Sequence, residues 1–311
     1  MSLTNRLRPA LDLLEDRRTP AGNVAASLSG EVLQIRGDEA GNQLRIVQTA
    51  AGQIRVEGLD GTRINGRASV SFAADGIEKL DALLFGGNDR LRIIDLQAST
   101  DMNMEMGAGN DTVKLTGTSA GVNMTVKTDD GTDTVYAADV ITGSDFNIET
   151  GQGSSTVEVY SSRVGGTLNV IGQDARDVIT VGGTAIGKDL KVNTGKGDDA
   201  VTVRNTAVTL SATLTTDEGA DAVTVSGLTT GEDLTVEAGK DDDRVAINGG
   251  TVVGKNLAVL LDGGADRLTV GNTRVASDLL FDGGDEFDTL DRNAGVTAGQ
   301  DFEVKGFERF V

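Results

Sequence analysis

The chain has 311 residues, including 42 Gly, two Pro and neither Cys nor His, and its formal net charge is −20. The absence of Cys and His excludes disulfides, zinc sites of the usual ligand types, cysteine nucleophiles and catalytic triads with a histidine base. The negative charge disfavours a DNA duplex or an anionic membrane as a partner and attracts divalent cations. It also has a purely structural interpretation, because acidic side chains keep β structure soluble and its edges apart.

Residues 1–23 are predicted to be an N-terminal targeting or flexible segment. Asp12 interrupts its leucines, so it lacks the continuous apolar centre of about 7–15 residues that is typical of a secretory signal. The stretch 14–21, Leu-Glu-Asp-Arg-Arg-Thr-Pro-Ala, resembles the L-E-D-R-x-x-P-A signature found near the start of many repetitive bacterial surface and secreted proteins. This resemblance implies export and an extracellular or cell-surface location. No apolar stretch approaches the ~18 residues that cross a bilayer, so no membrane span is predicted.

Residues 24–80 contain strand-like runs that lie outside the regular repeat found further along the chain. The runs are 32–35 and 44–47, and turns are indicated at Asp60-Gly61 and Asn65-Gly66. The first rung of a stacked β structure needs a cover that prevents pairing with other edges. This region is therefore predicted to form irregular coils and an N-terminal cap.

Residues 81–295 carry an internal repeat of 22 residues. An acidic residue follows a glycine turn once per repeat, and every step is 22 residues except the step from Asp243 to Asp266, which is 23. The column consists of Asp89, Asp111, Asp133, Ser155, Asp177, Asp199, Asp221, Asp243, Asp266 and Asp288. A fixed period of this length is the sequence signature of a solenoid.

Apolar residues keep the phase of this column. They occur two and four residues after the aspartate and again thirteen and fifteen residues after it, which predicts two strands per coil with one buried face each. A weaker apolar position lies between them and predicts a short third strand, followed by a corner glycine such as Gly121 or Gly143 that is expected to adopt positive φ. The predicted fold is all-β, a single-stranded right-handed parallel β-helix of about nine 22-residue coils.

The regular pattern ends after Asp288. Arg292 stands where the strand pattern calls for an apolar residue, and three of the eight phenylalanines lie in the last ten residues, at Phe302, Phe307 and Phe310. Residues 296–311 are therefore predicted to be a C-terminal cap, with the phenylalanines as its plug.

The glycine turns resemble a calcium-binding repeat. Residues 107–113, Gly-Ala-Gly-Asn-Asp-Thr-Val, and 195–201, Gly-Lys-Gly-Asp-Asp-Ala-Val, are similar to the G-G-x-G-x-D-x-U-x nonapeptide of hemolysin-type (RTX) proteins. The resemblance implies that turn carbonyls and the aspartate carboxylate bind Ca²⁺ between neighbouring turns. The candidate metal ligands are Asp111, Asp133, Asp199, Asp221, Asp243, Asp266 and Asp288. The sequence departs from the family in having one such turn per 22 residues, and Ser155 predicts a gap in the calcium row.

A structural interpretation of the same aspartates stays open. Asp side chains accept hydrogen bonds from turn amides, and Lys196 or Lys240 can supply local positive charge without any metal. Calcium and this hydrogen-bonded arrangement are alternative ways to offset the repulsion between stacked carboxylates.

The sequence indicates an elongated structural or adhesive module of a bacterial cell surface or of a secreted protein, and not an enzyme. The alternative is a carbohydrate-active β-helix enzyme, a polysaccharide lyase or hydrolase. Such enzymes place catalytic residues on long unequal loops, whereas the loops here are equal, and aromatic residues for sugar stacking are few. Calcium, cell-surface or matrix components and end-to-end self-association are the partners left open, and no Lys/Arg stripe in the repeat suggests nucleic acid.

Overall fold

The computed structural model describes residues 22–73 and 76–311. The N-terminal targeting segment predicted from the sequence lies outside these residues, except for its last two positions. Over the described part, the chain forms a parallel β-solenoid in which each coil contributes one strand to each of three sheets. The predicted fold class, all-β with 22-residue coils, is confirmed. The third sheet has ten strands, which gives about ten turns instead of nine.

Three sheets run along the solenoid. Sheet 1 consists of Asn23–Ser29, Val32–Arg36, Arg63–Ile64, Lys79–Leu83, Met102–Glu105, Met124–Lys127, Phe146–Glu149, Leu168–Ile171, Leu190–Asn193, Ala212–Thr215, Leu234–Glu237, Leu257–Leu260, Leu279–Asp282 and Phe302–Lys305. Sheet 2 consists of Gln43–Thr49, Gln53–Gly58, Ser69–Ala73, Arg90–Ile94, Thr112–Thr116, Thr134–Ala138, Thr156–Tyr160, Val178–Gly182, Ala200–Arg204, Ala222–Ser226, Arg244–Asn248, Arg267–Val270, Thr289–Arg292 and Arg309–Phe310. Sheet 3 consists of Gln97–Ala98, Ser119–Ala120, Ile141–Thr142, Arg163–Val164, Ala185–Ile186, Ala207–Val208, Thr229–Thr230, Thr251–Val253, Thr273–Val275 and Val296–Thr297.

The repeat places like residues directly above one another. In sheet 2 the residues two positions after the column aspartate pair in register, so that Val113 lies opposite Val135 and Ile179 lies opposite Val201. All four side chains are at most 1% exposed. A strand sends alternate side chains to opposite faces, so the aliphatic side chains of each strand all point into the solenoid. One coil alone cannot cover them, and the coils stacked above and below complete their burial.

The N-terminal strands cover the first regular coil. Val32–Arg36 and Gln43–Thr49 pair in parallel with the strands Lys79–Leu83 and Arg90–Ile94. Each of the two also has an antiparallel partner, so the sheet ends in hairpins and not in a bare parallel edge. The predicted turns are confirmed, since both of their residue pairs, 60–61 and 65–66, lie at positive φ.

The corner glycines occur for a different reason from the one that the sequence suggested. The third strand is confirmed, but Gly121 and Gly143 are not among the residues with positive φ. A Cβ atom on Gly143 would instead overlap the carbonyl oxygen of Gly121 in the neighbouring coil. Glycine is therefore required there because the backbones of stacked coils approach too closely for any side chain.

The three phenylalanines of the last ten residues differ in burial. Phe307 is 9% exposed, whereas Phe302 is 39% and Phe310 is 66% exposed. Phe302 packs edge-on against Phe281, with ring centroids 5.9 Å apart, and the Arg292 guanidinium carbon lies 4.8 Å from the centroid of the Phe302 ring. No further coil stacks on the last rung among residues 22–73 and 76–311, so its inward-facing rings stay partly open to solvent.

In the described ranges, no helix has the length and hydrophobicity needed to cross a membrane.

Candidate functional site: a buried aspartate column

The column aspartates lie where each glycine turn enters a strand of sheet 2. All seven predicted metal ligands belong to this row, together with Asp89 and Asp177, and each of these nine residues is at most 2% exposed. Such complete burial of an acidic side chain is unusual unless the carboxylate is paired. The row is therefore part of the interior and not of the outer turn surface.

One oxygen of each carboxylate is used to connect adjacent coils. The backbone N–H of Asp89 donates to Oδ1 of Asp111 at 2.7 Å, and the N–H of Asp111 donates to Oδ1 of Asp133 at 2.8 Å. The same bond is repeated from the amides of Ser155, Asp177, Asp199, Asp221, Asp243 and Asp266 to the aspartate of the following coil, at 2.7–2.8 Å. We call this row of hydrogen bonds the aspartate ladder.

The ladder is closed at both ends by residues outside the column of aspartates. At the start, the N–H of Asn42 donates to Oδ1 of Asp89 at 2.6 Å. At the end, the N–H of Asp288 donates to Oε2 of Glu308 at 2.8 Å. Asn42 escapes the repeat search because it precedes Asp89 by 47 residues. The local signal is nevertheless present, since Asn42 is followed by Leu44 and Ile46 in the spacing that follows every column aspartate.

The second oxygen of each carboxylate has no partner. Oδ2 of all nine column aspartates is buried and receives no hydrogen bond. A buried ionised oxygen without a donor carries a large desolvation cost, and protonation is the usual way in which a carboxyl group avoids it. The ladder is thus satisfied on one side and unsatisfied on the other.

Burial raises the pKa of the ladder carboxyls. It raises the pKa of Asp243 to about 8 and that of Asp133 to about 6. It raises the pKa to about 7 for Asp89, Asp111, Asp177, Asp221 and Asp266. The pKa values of Asp199 and Asp288 are also raised, again chiefly by burial. The backbone hydrogen bonds to Oδ1 act against this trend, and so do the side chains of Thr128, Thr194 and Thr216 next to Asp133, Asp199 and Asp221. Nearby carboxylates reinforce it, and for Asp243 these are its ladder neighbours Asp221 and Asp266.

The ladder is interrupted at Ser155. The N–H of Ser155 still donates to Asp177, but its own Oγ has no hydrogen-bond partner. Ser155 has no carboxylate at the position that accepts the preceding amide in the other coils, and within the described residues the N–H of Asp133 makes no ladder bond. The row of hydrogen bonds is therefore broken at this coil, while the gap in calcium binding that the sequence predicts at Ser155 stays a prediction.

The turn carbonyls are engaged between coils as well. The N–H of Gly109 donates to the carbonyl of Asp130 at 2.9 Å, and the N–H of Gly197 donates to that of Glu218 at 2.7 Å. These turns need residues in the left-handed region, and Ala175 and Asp241, which replace glycine, adopt φ of 71° and 78°. The glycine pattern that resembles the calcium repeat thus also satisfies the backbone requirements of coil stacking.

The described residues do not complete a calcium site. Calcium takes about six to eight oxygen ligands. The ladder offers one unpartnered carboxylate oxygen per coil, shielded from solvent. Within the described ranges, no group of three or more acidic side chains is arranged so that it could hold a metal ion. Calcium binding by the seven aspartates stays a prediction.

A second polar row went unnoticed in the sequence. It lies at the corner before the strands of sheet 1, twelve residues after the column aspartate, or thirteen in the coil with the inserted residue. Its side chains accept the backbone N–H of the following coil at 2.8–3.3 Å. Its acceptors are Asp101, Asn123, Asp145, Asp189, Ser211, Asp233, Asn256 and Asp278. The signal was a column of short polar residues in the same 22-residue phase. This row is half-buried to exposed, so water can satisfy its remaining oxygens.

No protein-family model matches the chain, and no curated protein matches it. Among solved structures, a hyperactive, Ca²⁺-dependent, β-helical antifreeze protein from an Antarctic bacterium aligns with a TM-score of 0.45 and 18% identity, over 86% of this chain and 77% of that one. A likeness at this level carries no inference about the function of this chain.

Proposed function

We propose that the chain is an elongated structural module with an adhesive or spacer role in a bacterial surface or secreted protein. The observation that carries this proposal is the unbroken register of three sheets over about ten coils. At ~4.8 Å per coil, the regular part is about 45 Å long. A scaffold of this kind holds its two ends at a fixed separation, which is what a surface spacer requires.

The uniform surface supports the same proposal. The turns between strands keep the same length in successive coils, apart from one inserted residue between Asp243 and Asp266. Fixed turns leave a flat, repetitive exterior, which suits a partner that is itself repetitive or extended. The export signature at residues 14–21 is the basis for placing the module outside the cell.

The proposal is tested by whether the protein links surfaces without altering them. Beads coated with the chain are compared with albumin-coated beads for attachment to bacterial envelope preparations and to polysaccharide gels. We expect attachment above the control and no release of sugar fragments into the medium. Release of fragments at a rate proportional to protein would contradict the proposal and favour the carbohydrate-active alternative.

Calcium stabilisation belongs to this proposal as a separate part. The outer turns carry exposed carboxylates next to the ladder, for example Asp198 and Asp242, and their repulsion is reduced by a bound divalent ion. We expect excess calcium to raise the melting temperature reversibly and Asp198→Asn or Asp242→Asn to reduce that gain. Identical melting curves in calcium and in chelator would remove calcium from the proposal and leave the spacer role standing.

A further inference from the structure

Basic side chains gather on the outer face of sheet 2 in a protein that is otherwise strongly acidic. We define the basic face as the outward side chains of sheet 2 from the strand Gln43–Thr49 to the strand Ala200–Arg204. Its cations are Arg45, Arg55, Arg90, Arg92, Lys114 and Arg204, and its anions are Glu57 and Glu158. A net positive face on a chain of formal charge −20 marks a specific surface for negatively charged partners.

Four of these cations have no carboxylate partner. Arg45 and Arg55 both pair with Glu57. Arg90, Arg92, Lys114 and Arg204 take part in none of the nine ion pairs formed within residues 22–73 and 76–311. With so many carboxylates available in the chain, this lack of pairing leaves their charge available to an external anion.

The register makes this arrangement costly in the free protein. Arg45 lies directly opposite Arg92, and Arg92 lies directly opposite Lys114, on successive parallel strands. Like charges at directly opposite positions of a sheet are destabilising. An anionic group held along this column would offset that repulsion.

The two tyrosines of the chain hold two of these four cations, Lys114 and Arg204, on the same face. The Lys114 Nζ lies 4.8 Å from the centroid of the Tyr136 ring, and the Arg204 guanidinium carbon lies 5.4 Å from that of Tyr160. The two rings are 6.2 Å apart. Such contacts hold a cation in place without neutralising it.

Gly182 makes the second of these contacts geometrically feasible. It lies between Tyr160 and Arg204 in register, on the strand that separates theirs. A Cβ atom at Gly182 would come within 2.9 Å of the Tyr160 ring and 3.2 Å of Arg204 Nε. Its φ is not positive, so the absence of a side chain serves the contact between these two residues and not the backbone.

The dimensions of the face favour a narrow polymer. A five-residue strand is about 16 Å wide, and beyond it lie the acidic turns, so a nucleic acid duplex would extend from the cations onto like charge. Lys114 and Arg204 each lie over one face of a tyrosine ring, which reduces the aromatic surface that is open for stacking nucleotide bases. From Arg92 to Arg204 the face covers five coil steps, about 24 Å along the axis.

We propose that the basic face binds an anionic polysaccharide, bearing carboxylate or sulfate groups, along the solenoid axis. This assignment names the partner class of the adhesive module and so rests on the proposed function. The sequence did not show the face because its cations occupy three different positions of the repeat, one, three and five residues after the column aspartate. Only the pleat of sheet 2 brings these positions to one side.

The test measures binding of the full chain to polygalacturonate, to dextran sulfate and to neutral dextran by affinity electrophoresis and calorimetry at low salt. We expect binding to one or both anionic polymers and none to dextran. The double variant Arg92→Gln/Lys114→Gln should weaken binding about tenfold and lower the slope of log affinity against log salt by about two. The matched control Lys188→Gln/Lys191→Gln removes the same charge from exposed positions outside the basic face and should change affinity by less than about twofold.

Two further variants separate charge from folding. The exchange Arg92→Lys/Lys114→Arg keeps the charge and should retain binding, while Gly182→Ala should weaken it by displacing Arg204 from the Tyr160 ring.

Equal loss of affinity in both double Gln variants, or binding to neutral dextran as tight as to the charged polymers, would overturn the assignment. Binding of duplex DNA that is tighter than polysaccharide binding and is lost in the same variants would replace the polysaccharide with nucleic acid. If no polymer binds while coated beads still attach to envelopes, the basic face is refuted and the adhesive function survives.

Discussion

The aspartate ladder makes the stability of the solenoid depend on pH. Burial raises the pKa of Asp243 from the ordinary 3.8 to about 8. Between about pH 4 and pH 8 the unfolded chain has lost this proton while the folded chain keeps it, so the folded state binds more protons. Raising the pH across this window therefore lowers the free energy of unfolding, and the stabilising effect present at low pH is lost as the pH rises through about 8.

The substitution Asp243→Asn isolates this effect. The amide oxygen can accept the Asp221 N–H that Oδ1 now accepts, but the side chain no longer titrates. The difference between the folded and unfolded pKa values corresponds to an upper limit of about 6 kcal/mol for one group. Because neighbouring ladder carboxyls share the charge, we expect a smaller gain of about 1–3 kcal/mol in the stability of the variant relative to wild type between pH 4 and pH 9.

Asp242→Asn provides the matched control. Asp242 is adjacent in sequence and also accepts a backbone N–H from a neighbouring coil, that of Ala265 at 2.9 Å, but it is exposed. Urea unfolding followed by circular dichroism at several pH values gives the free energy for each protein. A stability difference between Asp243→Asn and wild type that is the same at pH 4 and pH 9, or that matches the control at every pH, would refute the reasoning.

Two other substitutions test the stacking of coils. Ser155→Asp supplies the missing acceptor for the Asp133 N–H, and we expect about 1 kcal/mol of added stability at pH 4 that is lost by pH 9, because the new carboxyl is buried as its neighbours are. Unfolding curves at the two pH values check this, and a larger gain at the higher pH would contradict it. Gly143→Ala places a methyl group against the Gly121 carbonyl of the adjacent coil, and we expect it to lower stability by at least about 2 kcal/mol. Gly30→Ala is its control, since no atom lies within 4 Å of the added carbon and only the φ of 56° costs energy, so an equal loss in both variants would argue against close coil contact.

The stacking of coils could be predicted from the sequence because it depends on period alone. The row through Val113, Val135 and Val201 follows from a 22-residue spacing and strand alternation, and the structure places these residues in one buried column. The N-terminal coil lacks that period, so Asn42 could be placed in the ladder only through its pairing with Asp89. The repeat period identifies which residues occupy equivalent positions in successive coils. Identifying the spatial neighbours of a residue outside the repeat requires the three-dimensional structure.

The chemistry of the aspartates could not be predicted to the same degree. The Gly and Asp pattern suits both a calcium turn and a hydrogen-bonded ladder, because each demands positive φ followed by a short acceptor. The choice depends on which way the carboxylate points, and burial of Oδ2 is a property of the packed coil. The corner glycines could likewise be located but not explained from the sequence. Gly143 lies at the predicted corner, but the reason that glycine is needed there, a close approach to the backbone of the neighbouring coil, is visible only in the structure.

Titration of the individual aspartate carboxyl carbons by nuclear magnetic resonance tests the central claim most directly, using protein labelled only at aspartate. The buried ladder predicts a group of carboxyls, among them Asp111, Asp221 and Asp243, whose pKa lies near 7 or above, with the resonance of highest pKa absent in Asp243→Asn. If every aspartate instead titrates together near its ordinary value of about 4, the carboxylates face solvent and the column does not lie inside the solenoid.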